Sequence, residues 1–311
     1  MKNNLLIIFG LFIILSVISC EEEVIPSNTG YEPEYVVESY LEQSSEALPP
    51  YLFLTKSLGF YAKFDTGILN NLFVSNATVH VVVDQISYPL EEVCISQLPP
   101  DIRKEVLKNF GFNSDSVKVD FCAYIDLNKN IPILVDKKYQ LEIIVNQDTV
   151  RSTTTIPPIV RLDSFWFQDI PGKSNDTFAQ LFCIIDDKAA RNDYYRYFSA
   201  GMNENLIPNF GSVTNDFFFD GQKFKFTLSK AVPPGETFND NSGYFKRGDT
   251  IRVKWCNIDK PHFEFWNTLE VSRTRQGPFS SYVRIKGNIE NGLGIFGGQN
   301  CEIYSLYVPK K

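Results

Sequence analysis

Tyr139-Gln140-Leu141-Glu142-Ile143-Ile144-Val145 sets apolar residues at every second position, with polar ones between them up to Ile143. A period of two points successive side chains to opposite faces, so Tyr139, Leu141, Ile143 and Val145 line one side of a β-strand. Upstream, residues 117–125 repeat the pattern with Val117, Val119, Phe121, Ala123 and Ile125. Residues 77–83 (Ala-Thr-Val-His-Val-Val-Val) are β-branched and strand-like, and Asp84-Gln85 turns them into 86–93 as a hairpin. Strands are also expected at 35–42, 51–58 and 149–156, with a longer connection over 59–71. Pro100-Asp101 opens a short helix over 102–110. Its Ile102, Val106 and Phe110 share a face, and Gly111 stands where a terminating glycine belongs. Several short strands with turn signals between them read as an antiparallel sandwich.

Asp136-Lys137-Lys138-Tyr139-Gln140-Leu141 resembles the corner before a late strand of immunoglobulin-like domains, where a tyrosine hydroxyl ties the chain back. Pro157-Pro158 marks a boundary, after which the pattern restarts. Strands are expected at 160–168, 178–185, 194–201, 217–219, 223–229 and 250–256. A helix over 261–273 carries His262, Phe265, Trp266 and Leu269 on one face, and Gly277-Pro278 ends it. Strands at 293–296 and 301–308 close the chain. The expected fold is mainly β: two antiparallel β-sandwich, immunoglobulin-like domains, 34–157 and 158–311, with a short helix inserted in each.

The amino terminus is an address. Lys2 precedes an apolar run over 5–18, the length of a signal-peptide core and too short for a comfortable membrane span of about 20 residues. It ends in Val17-Ile18-Ser19-Cys20, which resembles the bacterial lipobox. That resemblance implies a signal peptide over 1–19, removed before Cys20, and a diacylglyceryl group and an N-acyl chain on Cys20. Glu21-Glu22-Glu23 resembles the acidic export signal that carries Bacteroidota lipoproteins to the outer face of the outer membrane. Residues 20–33, with Pro26, Gly30 and Pro33, form a flexible tether.

Removal of residues 1–19, whose one charge is Lys2, leaves 292 of 311 residues and moves the formal charge from −7 to −8. A nucleic-acid partner would need a basic stripe and is not expected. The 26 Phe and 15 Tyr favour pleated, half-buried surfaces. Of six cysteines, Cys20 is taken by lipid; Cys94, Cys122, Cys183, Cys256 and Cys301 remain, so at least one is unpaired. Cys94 and Cys122 bracket one inserted segment and are the expected disulfide, two free thiols being the alternative.

Chemistry-bearing patterns are sparse. His80 and His262 are the two histidines, so a zinc site or a Ser-His-Asp triad would depend on one of them, and no nucleophile elbow is present. Asp126-Leu127-Asn128-Lys129-Asn130 begins like a calcium loop but has Ile131 at the sixth place and Lys137 at the twelfth, so it reads as a turn. Asp186-Asp187, Asp220-Gly221 and Arg247-Gly248-Asp249 read as turns too. The runs 165–167, 194–198 and 217–219 must each place some aromatic rings away from their own core. Those rings pack under loops and between domains, or else form an exposed patch.

Gly287-Asn288-Ile289-Glu290-Asn291-Gly292-Leu293-Gly294-Ile295-Phe296-Gly297-Gly298, after Gly277-Pro278-Phe279, resembles the closing motif of a Bacteroidota outer-membrane lipoprotein family, domain-of-unknown-function family 4249. Tyr35-Val36-Val37-Glu38-Ser39-Tyr40, Leu54-Thr55-Lys56-Ser57 and Ala77-Thr78-Val79-His80-Val81 resemble its first strands. Gly287, Asn288, Gly292, Leu293, Gly294 and Phe296 read as structural, the glycines allowing turns and close backbone approach. The resemblance carries no catalytic residue, metal or cofactor. It implies a surface-exposed, lipid-anchored, non-enzymatic accessory or ligand-binding subunit of a TonB-dependent outer-membrane transporter. The alternative is a stand-alone adhesin or glycan-binding module, and a hydrolase ranks last.

Overall fold

The computed structural model describes residues 31–59, 68, 71–109, 120–172, 177–233, 235–274 and 283–311, with the backbone alone at 105, 106, 108 and 109. The signal peptide, Cys20, Glu21, Glu22, Glu23 and most of the tether lie outside the described residues. So do 117–119, Gly111 and Gly277-Pro278-Phe279. Glu34–Ser57 with Phe64–Lys311 form one compact unit, which holds every element named below. Met1–Pro33 with Leu58–Lys63 form another, whose described residues carry no helix or strand.

The protein is mainly β. The first half contributes β1 (Tyr35–Gln43), β2 (Tyr51–Lys56), β3 (Thr78–Val83), β4 (Ile86–Cys94), helix α1 (Pro100–Asn109), β5 (Cys122–Ile125), β6 (Lys138–Val145) and β7 (Asp148–Thr155). The second half contributes β8 (Leu162–Gln168), β9 (Phe178–Asp186), β10 (Tyr194–Gly201), β11 (Ile207–Asn215), β12 (Lys223–Leu228) and β13 (Phe245–Lys246). It continues with β14 (Thr250–Ile258), helix α2 (Lys260–Thr274), β15 (Ile289–Glu290) and β16 (Leu293–Tyr307). Twelve strands make one sheet in the order β11-β10-β14-β16-β1-β2-β5-β4-β3-β6-β7-β15; β12, β9, β13 and β8 make a second.

Local chemistry explains several joints. Asp84 and Gln85 both take positive φ, 49° and 67°, the geometry that suits a two-residue hairpin between β3 and β4. Tyr139 ties its corner as expected: its hydroxyl donates to the Pro132 carbonyl at 2.8 Å and accepts from the Leu134 N–H at 2.7 Å. Tyr139, Leu141, Ile143 and Val145 are all buried along β6.

Pro157-Pro158 separates two cores but does not interrupt the sheet. Val37, Leu41, Leu52, Leu54, Val79, Leu141 and Ile143 belong to the first core; Leu181, Cys183, Tyr195, Val253 and Trp255 belong to the second. Phe296 crosses over from β16 into the first core. The joint is β1 against β16, paired in parallel with Val36 opposite Leu293 and Gln43 opposite Asn300. The other strand pairs are antiparallel, and β15 adds a second link by pairing with β7.

Two expectations need correction. Phe217-Phe218-Phe219 is a turn and not a strand: β11 already occupies the edge beside β10, and the Phe219 N–H bonds the Asp216 carbonyl at 2.7 Å. The two closing strands are one, since β16 runs unbroken through Gly297-Gly298-Gln299-Asn300. On α1, Leu107 packs with Ile95 and Phe121 while Ile102 is 47 % exposed; the side chains of Val106 and Phe110 lie outside the described residues.

Candidate functional site

Strand alternation gives the large sheet a second face. Val37 and Leu41 point into the first core, so Glu38, Tyr40 and Glu42 point the other way. Register carries this face across the sheet. Glu42 stands opposite Gln299, Cys256 opposite Cys301, Arg196 opposite Cys256 and Phe198 opposite Lys254. Helix α2 covers part of the face, with Asp259 accepting the His262 N–H at 3.1 Å at its start.

A cavity of about 420 Å³ opens on this face. Its walls include Glu38, Tyr40, Glu42, Tyr51, Arg196, Phe198, Lys254 and Gln299 from the strands and Trp266 from α2. Glu46, Leu48, Pro49 and Leu206 come from two connections. The charges are mostly met inside the protein. Lys254 Nζ lies 2.5 Å from Glu42 Oε2, the two side chains each 15 % exposed, and Gln299 Nε2 donates to the same oxygen at 2.6 Å. Arg252 pairs with Glu46.

Arg196 is the centre of the site. It is 4 % exposed, and its guanidinium carbon lies 3.7 Å from the centroid of Trp266 and 4.8 Å from that of Phe198. Such cation–π contacts gain when desolvated. Burial lowers the Arg196 pKa, while Tyr40, Glu270 and Glu38 act against that. Burial also drives Tyr40 well above the ordinary tyrosine range, with Glu38 adding to it; Tyr51 is pushed up to about 12 by burial and by Glu38 and Glu42. Both phenols therefore stay protonated. His262, stacked on Tyr40 with centroids 5.1 Å apart, is pushed down to about 3 by burial and by Arg196. It is a neutral core histidine.

Arg196 Nε, Trp266 Nε1, Gln299 Oε1 and His262 Nε2 are buried and meet no hydrogen-bond partner within the protein. A buried polar group without a partner costs about 1–3 kcal/mol, so four together ask for an explanation.

The residues singled out in the sequence lie mostly elsewhere. Cys94 and Cys122 form a disulfide across β4 and β5. Cys256 and Cys301 form another across β14 and β16, on the cavity face, and Cys183 is free and buried. The glycines of the closing motif stand where other backbone presses close. A Cβ on Gly294, at φ +104°, would lie 2.0 Å from the Val37 carbonyl oxygen; on Gly287, 2.3 Å from the Gly294 oxygen; on Gly292, 2.8 Å from the Tyr35 oxygen. Asn288 bonds Phe296 twice, through Nδ2 at 2.8 Å and Oδ1 at 3.0 Å, and the Thr153 carbonyl at 3.0 Å. Leu293 opens β16 at the register of Val36. The motif is a joint between strands.

Neither histidine joins a ligand cluster among the described residues. Asp187, Asp216 and Asp220 converge, but Tyr195 O–H and Gly221 N–H bond Asp187, Asp193 N–H bonds Asp216 and Ala190 N–H bonds Asp220. They latch loops together. Asp126 accepts the N–H groups of Asn130 and Ile131 at 2.9 and 2.8 Å and shapes its own turn. Arg247-Gly248-Asp249 is a turn with Gly248 at φ +88°.

The cavity had a partial signal in the sequence. Glu38, Tyr40 and Glu42 alternate within a predicted strand, and Trp266 and His262 share the predicted helix face. Nothing in the sequence says that these two segments meet. No curated protein and no solved structure matches the chain. The family model described as domain of unknown function DUF4249 matches residues 21–302. The chain thus belongs to the DUF4249 family.

Proposed function

We propose that the protein is a ligand-binding lipoprotein of the outer membrane, held by lipid on Cys20 and carried to the cell surface by the Glu21-Glu22-Glu23 signal. In this reading it serves, without catalysis, as an accessory subunit of a TonB-dependent transporter. The observation that carries it is the cavity around Arg196, whose orphaned polar atoms suit a bound guest better than an empty protein. Its carboxylates Glu42 and Glu46 are engaged by Lys254 and Arg252, which suits binding rather than proton transfer. We read the second core as a sandwich of the small sheet on the large one, and the first as the large sheet folded over itself.

Phe217 and Phe218, 76 % and 83 % exposed at the end of β11, are the surface we assign to the partner. The test is recovery of the tagged, full-length lipoprotein from outer membranes in mild detergent. A stoichiometric β-barrel transporter among the recovered proteins, lost with F217S/F218S, supports the accessory role. Recovery of the lipoprotein alone, under conditions that keep other transporter complexes intact, overturns it and leaves a stand-alone binding module.

A further inference from the structure

We infer that the cavity takes an uncharged, polyhydroxylated ligand of the sugar class. The inference rests on reading the cavity as a ligand site and concerns what that site selects. Three features lead to it.

The first is charge. Lys254 and Arg252 are matched by Glu42 and Glu46 within the protein, and the charges of Glu270 and Glu38 act on Arg196 without an ion pair among the described residues. An ionic ligand would have to break these pairs in a place where a separated charge is costly. A neutral ligand leaves them whole. The second is the set of orphans. Arg196 Nε and Trp266 Nε1 are donors without an acceptor, and Gln299 Oε1 is an acceptor without a donor. A carboxylate can only accept and an ammonium can only donate, so either leaves one kind unmet. A hydroxyl does both, directly or through a water it orders. A ligand carrying several hydroxyls offers partners of both kinds once the side chains of Arg196, Trp266 and Gln299, whose orphan atoms are buried in the cavity wall, turn toward it. The third is the mouth. Leu48, Pro49 and Leu206 are apolar members of the lining, and Leu48 is 58 % exposed. Such a rim suits the C–H faces of a pyranose ring, while the polar floor suits its edge.

The experiment is isothermal titration of the full-length lipoprotein in a detergent without a sugar headgroup. The neutral probes are maltotriose, cellotriose and triacetylchitotriose; trigalacturonate, a polyanion, and triglycine, a zwitterion, are the ionic comparisons. Saturable binding of at least one neutral trisaccharide is expected, with affinity changing less than about twofold between 50 and 500 mM NaCl, because no net ion pair forms. Trp266→Phe, which keeps the ring and removes the donor, should weaken binding at least about fivefold, as expected for one lost hydrogen bond. Leu206→Trp, at the half-buried rim, should block the mouth while the thermal transition stays put; it keeps the test decisive if Trp266→Phe unfolds.

Failure of all three neutral sugars to bind overturns the inference. Tighter, salt-sensitive binding of trigalacturonate or triglycine, lost in Leu206→Trp, overturns the ligand class and keeps the cavity as the ligand site. Sugar binding unaffected by both substitutions overturns the assignment to this cavity. Recovery of a transporter is independent of each of these outcomes, so the accessory role and the ligand class fail separately.

Discussion

Lys254→Met isolates the ion pair in the cavity floor. Glu42 and Lys254 are each 15 % exposed, and Glu42 Oε2 also accepts from Gln299 at 2.6 Å. Removing one partner of a buried pair costs about 3–5 kcal/mol, because the other charge is left behind. Two features reduce that here. The residual exposure lets water reach Glu42, and the Gln299 bond, worth about 1.5–3 kcal/mol to a charged group, stays in place. Met also loses the contact of Nζ with the Phe198 ring, 5.3 Å away. A loss of about 2–3 kcal/mol is the expected balance. The double variant Glu42→Gln/Lys254→Met leaves no lone charge, and replacing both members of such a pair is near neutral, so it should cost about 1 kcal/mol or less. Urea unfolding followed by tryptophan fluorescence reads both, with Trp166, Trp255 and Trp266 as probes, provided that the denaturant slope is unchanged. A single-variant loss below about 0.5 kcal/mol would refute the reasoning. So would a double variant that costs the sum of its parts, because the pair would then be a surface contact of little weight.

Tyr139→Phe should cost about 1–3 kcal/mol in the same assay, since it strands the Pro132 carbonyl and the Leu134 N–H that share one hydroxyl. Gly294→Ala sets a Cβ 2.0 Å from the Val37 oxygen at a φ of +104° and should leave no soluble folded protein; Gly172→Ala, at φ +74° with nothing within 4 Å, should cost about 1 kcal/mol and serves as the control. Stability against pH separates His262 from Asp259. The folded His262 pKa is about 3 against 6.5 unfolded, so stability falls as pH drops through that window, by at most about 5 kcal/mol. Asp259, pushed up to about 6 by burial from 3.8, has the opposite sign: its contribution is present below about 3.8 and is lost as pH rises to about 6. Subtracting the unfolding curve of His262→Gln from the parent should leave a difference that declines as the pH is lowered from 6.5. The same subtraction with Asp259→Asn should leave one that declines between 3.8 and 6 as the pH is raised. Differences flat in pH would show that neither group is held away from its ordinary pKa.

Strand positions were readable because alternation is a local signal. Tyr139, Leu141 and Ile143 declare their inner face without reference to any partner, and the hairpin at Asp84-Gln85 is set by two adjacent residues. What escaped was non-local or masked by composition. β11 contains Pro208, Gly211 and Asn215, residues that weaken any propensity reading, yet it holds the sheet edge by pairing with β10. Phe217-Phe218-Phe219 has the composition of a strand and makes a turn, because Asp216 and the end of β11 dictate the chain direction there. Gly297-Gly298 looks like a strand end for the same reason in reverse: glycine is poor in a strand unless something presses against it. Something does, since a Cβ on Gly297 would lie 2.7 Å from the His262 ring and one on Gly298 2.3 Å from the Thr155 carbonyl. The parallel pairing of β1 with β16 joins residues more than 250 apart in sequence and leaves no local trace.

That pairing connects the glycine motif to the cavity. No residue of the motif lines the cavity, but Ile295 and Gly297 pair with the lining residues Glu38 and Tyr40, and the lining residue Gln299 follows Gly298. The close approach of β1 to β16 depends on the motif, because a side chain at Gly292 or Gly294 would strike the Tyr35 or Val37 carbonyl. Only with the strands at that distance does Glu42 fall opposite Gln299 and within reach of Lys254 on β14. Gly297 does the equivalent for the helix, since the space it leaves is filled by His262, and His262 in turn stacks on Tyr40. Trp266, four residues on, follows one turn later on the same helix face and lies against Arg196. The motif therefore acts on the site through backbone spacing. Substitution within it should disturb ligand binding and folding together, whereas substitution of Trp266 or Leu206 should separate them.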